Sequence, residues 1–306
     1  MKKVVIFGGS GFIGRHLVKE LKKDYDVIVI SRHPRTNALE FGDNVQVDRL
    51  RSRDISKIVS YFEGAKAIVN LSGENVGGRW NKSKMDAIKN SRLDTDNIII
   101  RAARSVKSIP EMFIQGSSIG VYGFSRKNVD ITEESKNGQR GFLTKVALSH
   151  EETFEQLEKL ARVVYLRTGF VLDANQGTLQ KMAAPYKMYL GGKLGNGKQW
   201  NSWIHIKDEV RAIKFLIENE NSVGPYNLTA PNPIQQKEMS TKIGKSLGRP
   251  SFLSKPSFLL QLFLGNMAEE LLVNGVKVIP ERLLDEGFKF NYETIDEAFS
   301  DIYGNS

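Results

Sequence analysis

The chain has 306 residues, 40% of them hydrophobic, which is enough to bury a large α/β domain with a smaller companion and excludes a disordered chain. It has no cysteine, which excludes disulfides, a thiol nucleophile and thiolate metal sites and fits a reducing, cytoplasmic setting. The four histidines (His16, His33, His150, His205) show no metal-ligand spacing, so no metal is expected, and the net charge of +9 favours anionic ligands such as phosphates.

The first strand, KVVIFG, runs into FGGSGFIGRHL (residues 7–17) and then into the helical pattern GFIGRHLVKELKK. Because the strand follows the basic pair at the start so closely, no leader is expected there. Gly8, Gly11 and Gly14 form a G-x-x-G-x-x-G pattern between strand and helix. Glycines there permit a tight turn and close backbone approach, so that the helix N-terminus can hold a pyrophosphate. Gly8, Ser10, Gly11, Phe12, Ile13 and Gly14 are therefore expected to line a dinucleotide; a purely structural glycine turn is the weaker reading.

The second strand, DVIVISR, ends on Ser31 and Arg32, with Arg35 close behind. An NAD enzyme places an acid there for the ribose 2′-hydroxyl, and that acid would repel a 2′-phosphate. Arginine binds the phosphate with a planar pair of donors, so the expected cofactor is NADP(H). A solvated surface arginine is the alternative.

Further strand patterns, NVQVDRL, KAIVNLSG, MFIQGSS and RVVYLRTGFVL, alternate with helical ones, ISKIVSYFEG, NKSKMDAIKNSRLDTDNIIIRAARS and LTKVALSHEETFEQLEKLA. Most of the strands are apolar on both faces, as buried parallel strands are, which predicts an α/β fold with a doubly wound parallel Rossmann-type sheet. Between Arg79 and Lys107 eight Lys or Arg stand against three Asp. Without a nucleic-acid-binding signature they read as a solvated helix face, and no nucleic-acid partner is expected.

After Leu172 come a helical stretch, GTLQKMAAPYKMYL, a glycine-rich loop, GGKLGNGKQWNSW, and a strand and helix, WIHIKDEVRAIKFLIENE. The prolines of GPYNLTAPNP mark a boundary near Pro231. The expected division is a Rossmann-type domain over 1–230, with 170–205 facing the substrate pocket, and a small, mainly helical domain over 231–306. The longest apolar run, SFLLQLFLG (257–265), is too short to span a bilayer. With the following NMAEELLVNG it reads as an amphipathic helix packed on its own domain, the alternatives being a partner or a membrane surface.

These motifs resemble the extended short-chain dehydrogenase/reductases. NLSG (70–73) is similar to their segment flanking the cofactor after the fourth strand, and SSIGVYG (117–123) to their serine-bearing segment after the fifth. More closely, NLSGENVGGRW, KNSRLDT, GGKLGNGKQWNSWIHIKD and NGVKVIPERLLDEGFKFNY resemble the YfcH-like branch of the NAD-dependent epimerase/dehydratase superfamily, over nearly the whole chain. The resemblance implies cofactor contacts from Leu71, Ser72, Gly73, Glu74, Arg92, Ser117, Arg167, Gly169 and Val171, besides Ser31 and Arg32. Arg92 has a second reading, as a partner of Asp94 or a solvent-facing residue. The pocket is expected between the sheet's C-terminal edge and the small C-terminal domain. A homodimer through the long helices 81–105 and 143–161 is a habit of the superfamily.

Ordinary members use a serine to polarise a carbonyl, a tyrosine to exchange its proton, and a lysine four residues later. Ser118, four residues before Tyr122, matches the serine. In QRGFLTKVALSHEE (139–152) the tyrosine position falls on Phe142 or Leu143 and the lysine position on Val146 or Ala147, so the pair is missing in either register. Lys145 is one residue off, a rotation of about 100° around a helix. The candidate catalytic residues are Ser118 and Tyr122, with Tyr186 and Tyr189 as further proton donors; packing is the alternative role of each tyrosine.

Arg79, Lys193, Gln199 and His205 are candidate substrate contacts. Arg79, like Glu74, follows the cofactor turn and has surface salt bridging as its alternative. Lys193, Lys198 and Gln199 lie in a loop similar to the one that holds the nucleotide part of a sugar nucleotide in related enzymes, though a plain loop needs no ligand. His205, at a strand end, reads as a general base or as a residue holding a domain junction. Two functions follow. The first is an NADP(H)-dependent oxidoreductase or epimerase acting on a small anionic substrate such as a nucleotide sugar. The second is a non-catalytic, NADP-responsive protein whose cofactor state alters a protein interface, in keeping with the link of some relatives to cell or plastid division. A proton donor at the vacant tyrosine position favours the first, and an apolar wall favours the second.

Overall fold

Strands that are apolar on both faces are stable only between two layers of helices, and the Val- and Ile-rich segments of this chain form such a sheet. The computed structural model describes residues 1–32, 41–42, 45–49, 55–124, 128–253, 265–270 and 274–304; Arg35, His33 and most of the apolar run 257–265 lie outside the described residues. The strands of the main sheet are β1 (Lys3–Phe7), β2 (Asp26–Ser31), β3 (Val45–Arg49), β4 (Ala67–Asn70), β5 (Met112–Ser118), β7 (Arg162–Thr168) and β11 (Gly224–Leu228). They lie in the order β11-β7-β5-β4-β1-β2-β3, all parallel. The chain reverses direction across the sheet at β1, so a cleft opens outside the C-terminal ends of β1 and β4.

Helices cover both faces. On one, α1 (Phe12–Leu21) buries Leu17 and Leu21, and α6 (Ile206–Glu218) buries Ile213 and Leu216, against Val4, Ile6 and Val29. On the other, α2 (Ser56–Phe62) and α3 (Lys82–Ala103) bury Ile58 and Ile99 against Val5, Phe7, Ile68 and Phe113. The N-terminus of α3 is fixed by Asn81, whose side chain accepts the Lys84 N–H at 2.8 Å. The helix α4 (Phe142–Phe154) follows β5 and runs on into a short 3₁₀ turn, Glu155–Leu157.

Two features depart from the sequence expectation. RVVYLRTGFVL is not one strand: at Gly169 the chain leaves the main sheet, and β8 (Phe170–Leu172) pairs with β10 (Trp203–His205) instead. A β-carbon at Gly169 would stand 2.4 Å from the Ser202 oxygen, so the crossing requires glycine. Residues 224–228, for which the sequence predicts no strand ahead of the boundary near Pro231, form the seventh strand of the main sheet; Pro225 is tolerated because β11 lies at the sheet's edge.

The smaller elements gather at one end. β6 (Asp130–Ile131) pairs with β13 (Lys277–Val278), and β9 (Trp200–Asn201) with β12 (Ile234–Gln235). Three helices, α5 (Gly177–Lys187), α7 (Gln236–Ser246) and α9 (Ile295–Tyr303), share an apolar cluster containing Leu179, Tyr186, Trp203, Met239, Ile295 and Phe299. The five-residue α8 (Glu281–Asp285) packs beside β11. Among the described residues no helix is long and apolar enough to cross a membrane.

Candidate functional site

The chain leaves β1 through Gly8, whose φ of +76° lies in the left-handed region that glycine enters freely. A β-carbon at Gly8 would stand 2.6 Å from the Leu71 carbonyl carbon, and one at Gly14 would stand 2.3 Å from the Gly8 oxygen. The loop is thus pressed onto the end of β4 and onto the first turn of α1. Gly11 donates its N–H to the Gly8 oxygen at 2.8 Å and stands at the N-cap of α1 with no side chain capping the helix. The first-turn N–H groups and the positive end of the helix dipole remain available to an anion. The cradle fits the pyrophosphate of a dinucleotide, with backbone where any β-carbon would intrude. Phe12 closes it on one side, its ring 2.8 Å from the place of a β-carbon at Gly177, beside the buried Val171. Gly14→Ala is expected to cost about 1–3 kcal/mol, because the obstructing atom is backbone. It should also weaken dinucleotide binding at least about tenfold; thermal unfolding and a fluorescence titration measure the two effects.

Ser31 ends β2 with its hydroxyl 3.3 Å from that of Ser10, tying the strand end to the loop, while Arg32 is exposed beside them. Glu74 lies in the field of this cation. A hydrogen bond from Lys84 Nζ at 2.8 Å, with the charges of Lys84, Arg32 and Arg92, holds the Glu74 carboxyl below the usual range. Arg92 lies across the turn: a β-carbon at Gly73 would meet its Cζ at 2.9 Å, and Nη1 donates to the Ile88 oxygen at 2.9 Å and the Glu74 oxygen at 3.4 Å. Asp94 is exposed and forms no ion pair with it among the described residues.

The 70–72 turn is fixed from beneath by a buried network. Asn70 donates to Asp96 Oδ1 at 2.9 Å and to Gln115 Oε1 at 3.0 Å, and its own Oδ1 accepts the Ser72 N–H at 3.1 Å and the Ser72 hydroxyl. Asp96 Oδ2 lies 2.6 Å from His150 Nδ1. All four side chains of Asn70, Asp96, Gln115 and His150 are buried, so each bond acts in a low dielectric and restrains the next. Asp96, Gln115 and His150 were not singled out from the sequence. Their only signal was a polar residue on a face that the register makes apolar.

A second network lies at the ends of β5 and β7. Arg167 donates to both oxygens of Glu151, from Nε at 3.1 Å and Nη2 at 2.8 Å, and from Nη1 to the Tyr122 hydroxyl at 3.0 Å. Ser117 donates to Glu151 Oε1 at 2.6 Å, and Tyr122 donates to Asn227 Oδ1 at 2.7 Å. Burial opposes the Arg167 charge, but Glu151 and Tyr122 outweigh it and raise its pKa. Burial likewise raises the pKa of the Tyr122 hydroxyl, with Arg167 acting against the rise. The Ser118 hydroxyl accepts the Gly120 N–H at 3.2 Å, capping a 3₁₀ turn over Ile119–Tyr122.

At the tyrosine position the Phe142 ring meets Trp80 edge-on, with centroids 5.2 Å apart. The N–H groups of Phe142 and Leu143 donate to the Glu270 carboxylate at 2.7 and 2.9 Å. At the lysine position Ala147 packs into an apolar cluster with Val121, Tyr122, Val276 and Val278. Lys145 is exposed, between buried Thr144 and Val146. Apolar side chains therefore fill both places.

The candidate substrate residues are more dispersed. Arg79 is exposed and Lys193 half-buried. Gln199 is buried and donates to the Leu194 oxygen at 3.0 Å, in a loop that rests on α7 through Leu194 N–H to Gln236 Oε1 at 3.1 Å and Lys237 N–H to the Gly197 oxygen at 2.9 Å. His205 caps α6, accepting the Lys207 N–H at 3.2 Å, with its ring 3.9 Å from that of Tyr292 and Nε2 3.3 Å from the Asp301 carboxylate. Burial lowers its pKa to about 4 although Asp301 acts the other way, so the imidazole is neutral near pH 7. His205 is engaged with the C-terminal residues Tyr292 and Asp301, and the Gln199 side chain with Leu194 of its own loop. Tyr186 is likewise buried, its hydroxyl donating to the Ser240 oxygen at 3.1 Å, while Tyr189 is exposed.

The sequence and the fold are similar to those of known proteins. The model of the NAD dependent epimerase/dehydratase family matches residues 4–229, and that of a domain of unknown function (DUF1731) matches residues 256–302. The chain belongs to the NAD dependent epimerase/dehydratase family. It is 31% identical to the epimerase family protein YfhF of Bacillus subtilis, over 98% of this chain and 97% of that one. It is 33% identical to the epimerase family protein SA0724 of Staphylococcus aureus, over 99% of each. Among solved structures it is similar to the human epimerase family protein SDR39U1, determined with NADPH: TM-score 0.86, 27% identity, 99% of this chain and 100% of that one. A nucleoside-diphosphate sugar epimerase from Corynebacterium glutamicum matches at TM-score 0.79 and 26% identity, over 100% of this chain and 59% of that one.

Proposed function

We propose that the protein binds NADP(H) in the cleft at the ends of β1, β2 and β4 and acts through its cofactor-bound state, without proton transfer by a tyrosine–lysine pair. One observation carries this reading: an intact dinucleotide cradle stands beside tyrosine and lysine positions filled by Phe142, Trp80 and the cluster around Ala147. NADPH in the human relative supports the cofactor, as do Arg32 and the absence of an acid at the end of β2. In this reading the glycine loop and the α1 N-terminus hold the pyrophosphate, Arg32 the 2′-phosphate, and the turn braced by Asn70 and Arg92 the rest of the dinucleotide. Bound NADPH would supply a hydride. Without a general acid, carbonyl reduction loses about 10²- to 10⁴-fold, which favours a role for occupancy itself.

Fluorescence titration with NADPH and NADH tests the cofactor. Arg32→Ala is expected to weaken NADPH at least about tenfold, the loss of one charge-assisted contact, and to leave NADH nearly unchanged. Equal affinity of the wild type for the two cofactors would refute the assignment. A second reading, an oxidoreductase or epimerase acting on a nucleotide sugar, is favoured by the similarity to the Corynebacterium epimerase and by the basic loop carrying Lys193 and Lys198. NADPH consumption on addition of a sugar nucleotide would establish that reading and displace the first.

A further inference from the structure

The positive charge of this chain is concentrated. Residues 174–207 hold five lysines and residues 239–268 four basic residues, and neither stretch contains one Asp or Glu. Those nine charges equal the whole net excess of +9. The fold then brings residues 186–191 of the first stretch against residues 240–253 of the second. Tyr186 reaches the Ser240 oxygen at 3.1 Å, the Leu253 N–H donates to the Gly191 oxygen at 3.1 Å, and Arg249 donates to the Tyr189 hydroxyl at 2.8 Å. Lys207 and Lys242 are neutralised by Asp301 and Asp296. Lys181, Lys187, Lys193, Lys198, Lys245 and Arg249 form no ion pair among the described residues.

Within this basic surface stand four large apolar side chains: Met188, Tyr189, Leu190 and Phe252, exposed by 63%, 56%, 50% and 74%. Among the described residues Tyr189 is the one non-glycine at positive φ, +59°. Such a conformation persists only where the surroundings enforce it. The backbone bonds that end α5 do so here, from the Tyr189 N–H to the Tyr186 oxygen and the Leu190 N–H to the Pro185 oxygen, both 2.9 Å; Arg249 stacks 4.6 Å above the Tyr189 ring, and Met188 and Leu190 lie in solvent. Adjoining exposed apolar side chains rimmed by charge mark a surface that meets something else.

The chemistry selects the partner. Protein interfaces enrich arginine and deplete lysine, whereas five of the six unpaired cations here are lysines. Single-stranded nucleic acid stacks successive bases on open aromatic rings, whereas here Arg249 already covers one face of the Tyr189 ring and Met188 and Leu190 are aliphatic. A second copy of the chain would bring the same charge to the contact. An anionic bilayer is attracted by the lysines and accepts the apolar side chains at the boundary between headgroups and acyl chains. We propose that this basic, apolar-tipped surface, formed by the end of α5, the loop after it and the end of α7, docks the protein on an anionic lipid surface.

Cosedimentation of the full chain with vesicles of phosphatidylcholine alone, and of phosphatidylcholine mixed with phosphatidylglycerol, tests this. Binding is expected only to the anionic vesicles, falling as salt is raised. Lys187→Glu with Lys245→Glu should weaken it about 100-fold, and Met188→Ser with Phe252→Ser about tenfold. All four side chains lie outside the cofactor cradle and are exposed, so thermal stability and NADPH titration should match the wild type. Absence of binding to anionic vesicles, equal binding to neutral ones, or wild-type binding by either variant would overturn the proposal. So would a solution dimer that the Met188/Phe252 variant breaks without any vesicle binding, since that would assign the patch to a second copy.

Discussion

Glu151→Ala is expected to destabilise the fold by about 3–5 kcal/mol, the usual cost of stranding one partner of a buried ion pair. Arg167 is 6% exposed and Glu151 7%, and three of the bonds at this carboxylate come from Arg167 Nε, Arg167 Nη2 and the Ser117 hydroxyl. Removing the acceptor leaves a guanidinium with two unsatisfied donors away from water, which costs more than the pair contributed while intact. A paired replacement, Glu151→Leu with Arg167→Met, should recover most of the loss, because it removes both charges and keeps the volume. Urea denaturation of the wild type, the single variant and the double variant measures both steps. A single-variant loss below about 1 kcal/mol would show that water reaches the arginine and that the network is weaker than its geometry implies. The same variant should weaken NADPH binding, since Ser117 and Arg167 stand on the strand ends that flank the cradle.

How much of this was legible in the sequence depended on whether the cause was local. The glycine loop was legible because a positive φ at Gly8 and the close approaches at Gly8 and Gly14 can be met by one residue type alone. The parallel sheet was legible because runs such as VVIF and AIVN are apolar at nearly every position. The split at Gly169 was hidden, since the residue that forces it, Ser202, lies 33 positions away. The seventh strand was masked by Pro225, which argues against a central strand but not against an edge strand. The missing tyrosine and lysine were visible at once, yet what fills their places was not. Trp80, Glu270, Val276 and Val278 reach α4 from distant parts of the chain, and no local pattern announces them. The Asn70–Asp96–Gln115–His150 network was invisible for the same reason: its members come from two strands and two helices and acquire meaning only when packed.

Glu209 makes the second large expectation, and its sign is unusual for a carboxylate. It lies in the first turn of α6, fully buried, with Thr168 donating to Oε1 at 2.9 Å and no partner for Oε2 among the described residues. Burial pushes its pKa up from the ordinary 4.5 to about 8, with the Thr168 hydrogen bond opposing the rise. Below pH 4.5 the group is protonated folded and unfolded, and it imposes no penalty of charge. Between 4.5 and 8 the unfolded chain gives up the proton while the native protein keeps it, so stability falls as pH rises. The total is on the order of several kcal/mol, since each tenfold change in proton affinity is worth about 1.4 kcal/mol. Glu209→Gln removes that slope. The orphaned amide costs about 1 kcal/mol at every pH, so the variant should lie about that far below the wild type near pH 4.5 and exceed it by a few kcal/mol above pH 8. His205 works in the opposite sense: its pKa is lowered from 6.5 to about 4 by burial, so the unfolded chain binds the extra proton in that interval and stability rises with pH. The two groups oppose each other between pH 4.5 and 6.5, which leaves 6.5 to 8 as the window clear of His205. Urea denaturation of wild type and Glu209→Gln across that window should give converging curves toward low pH and diverging ones toward high pH. Parallel curves would mean that Glu209 ionises normally in the native state and that solvent reaches Oε2.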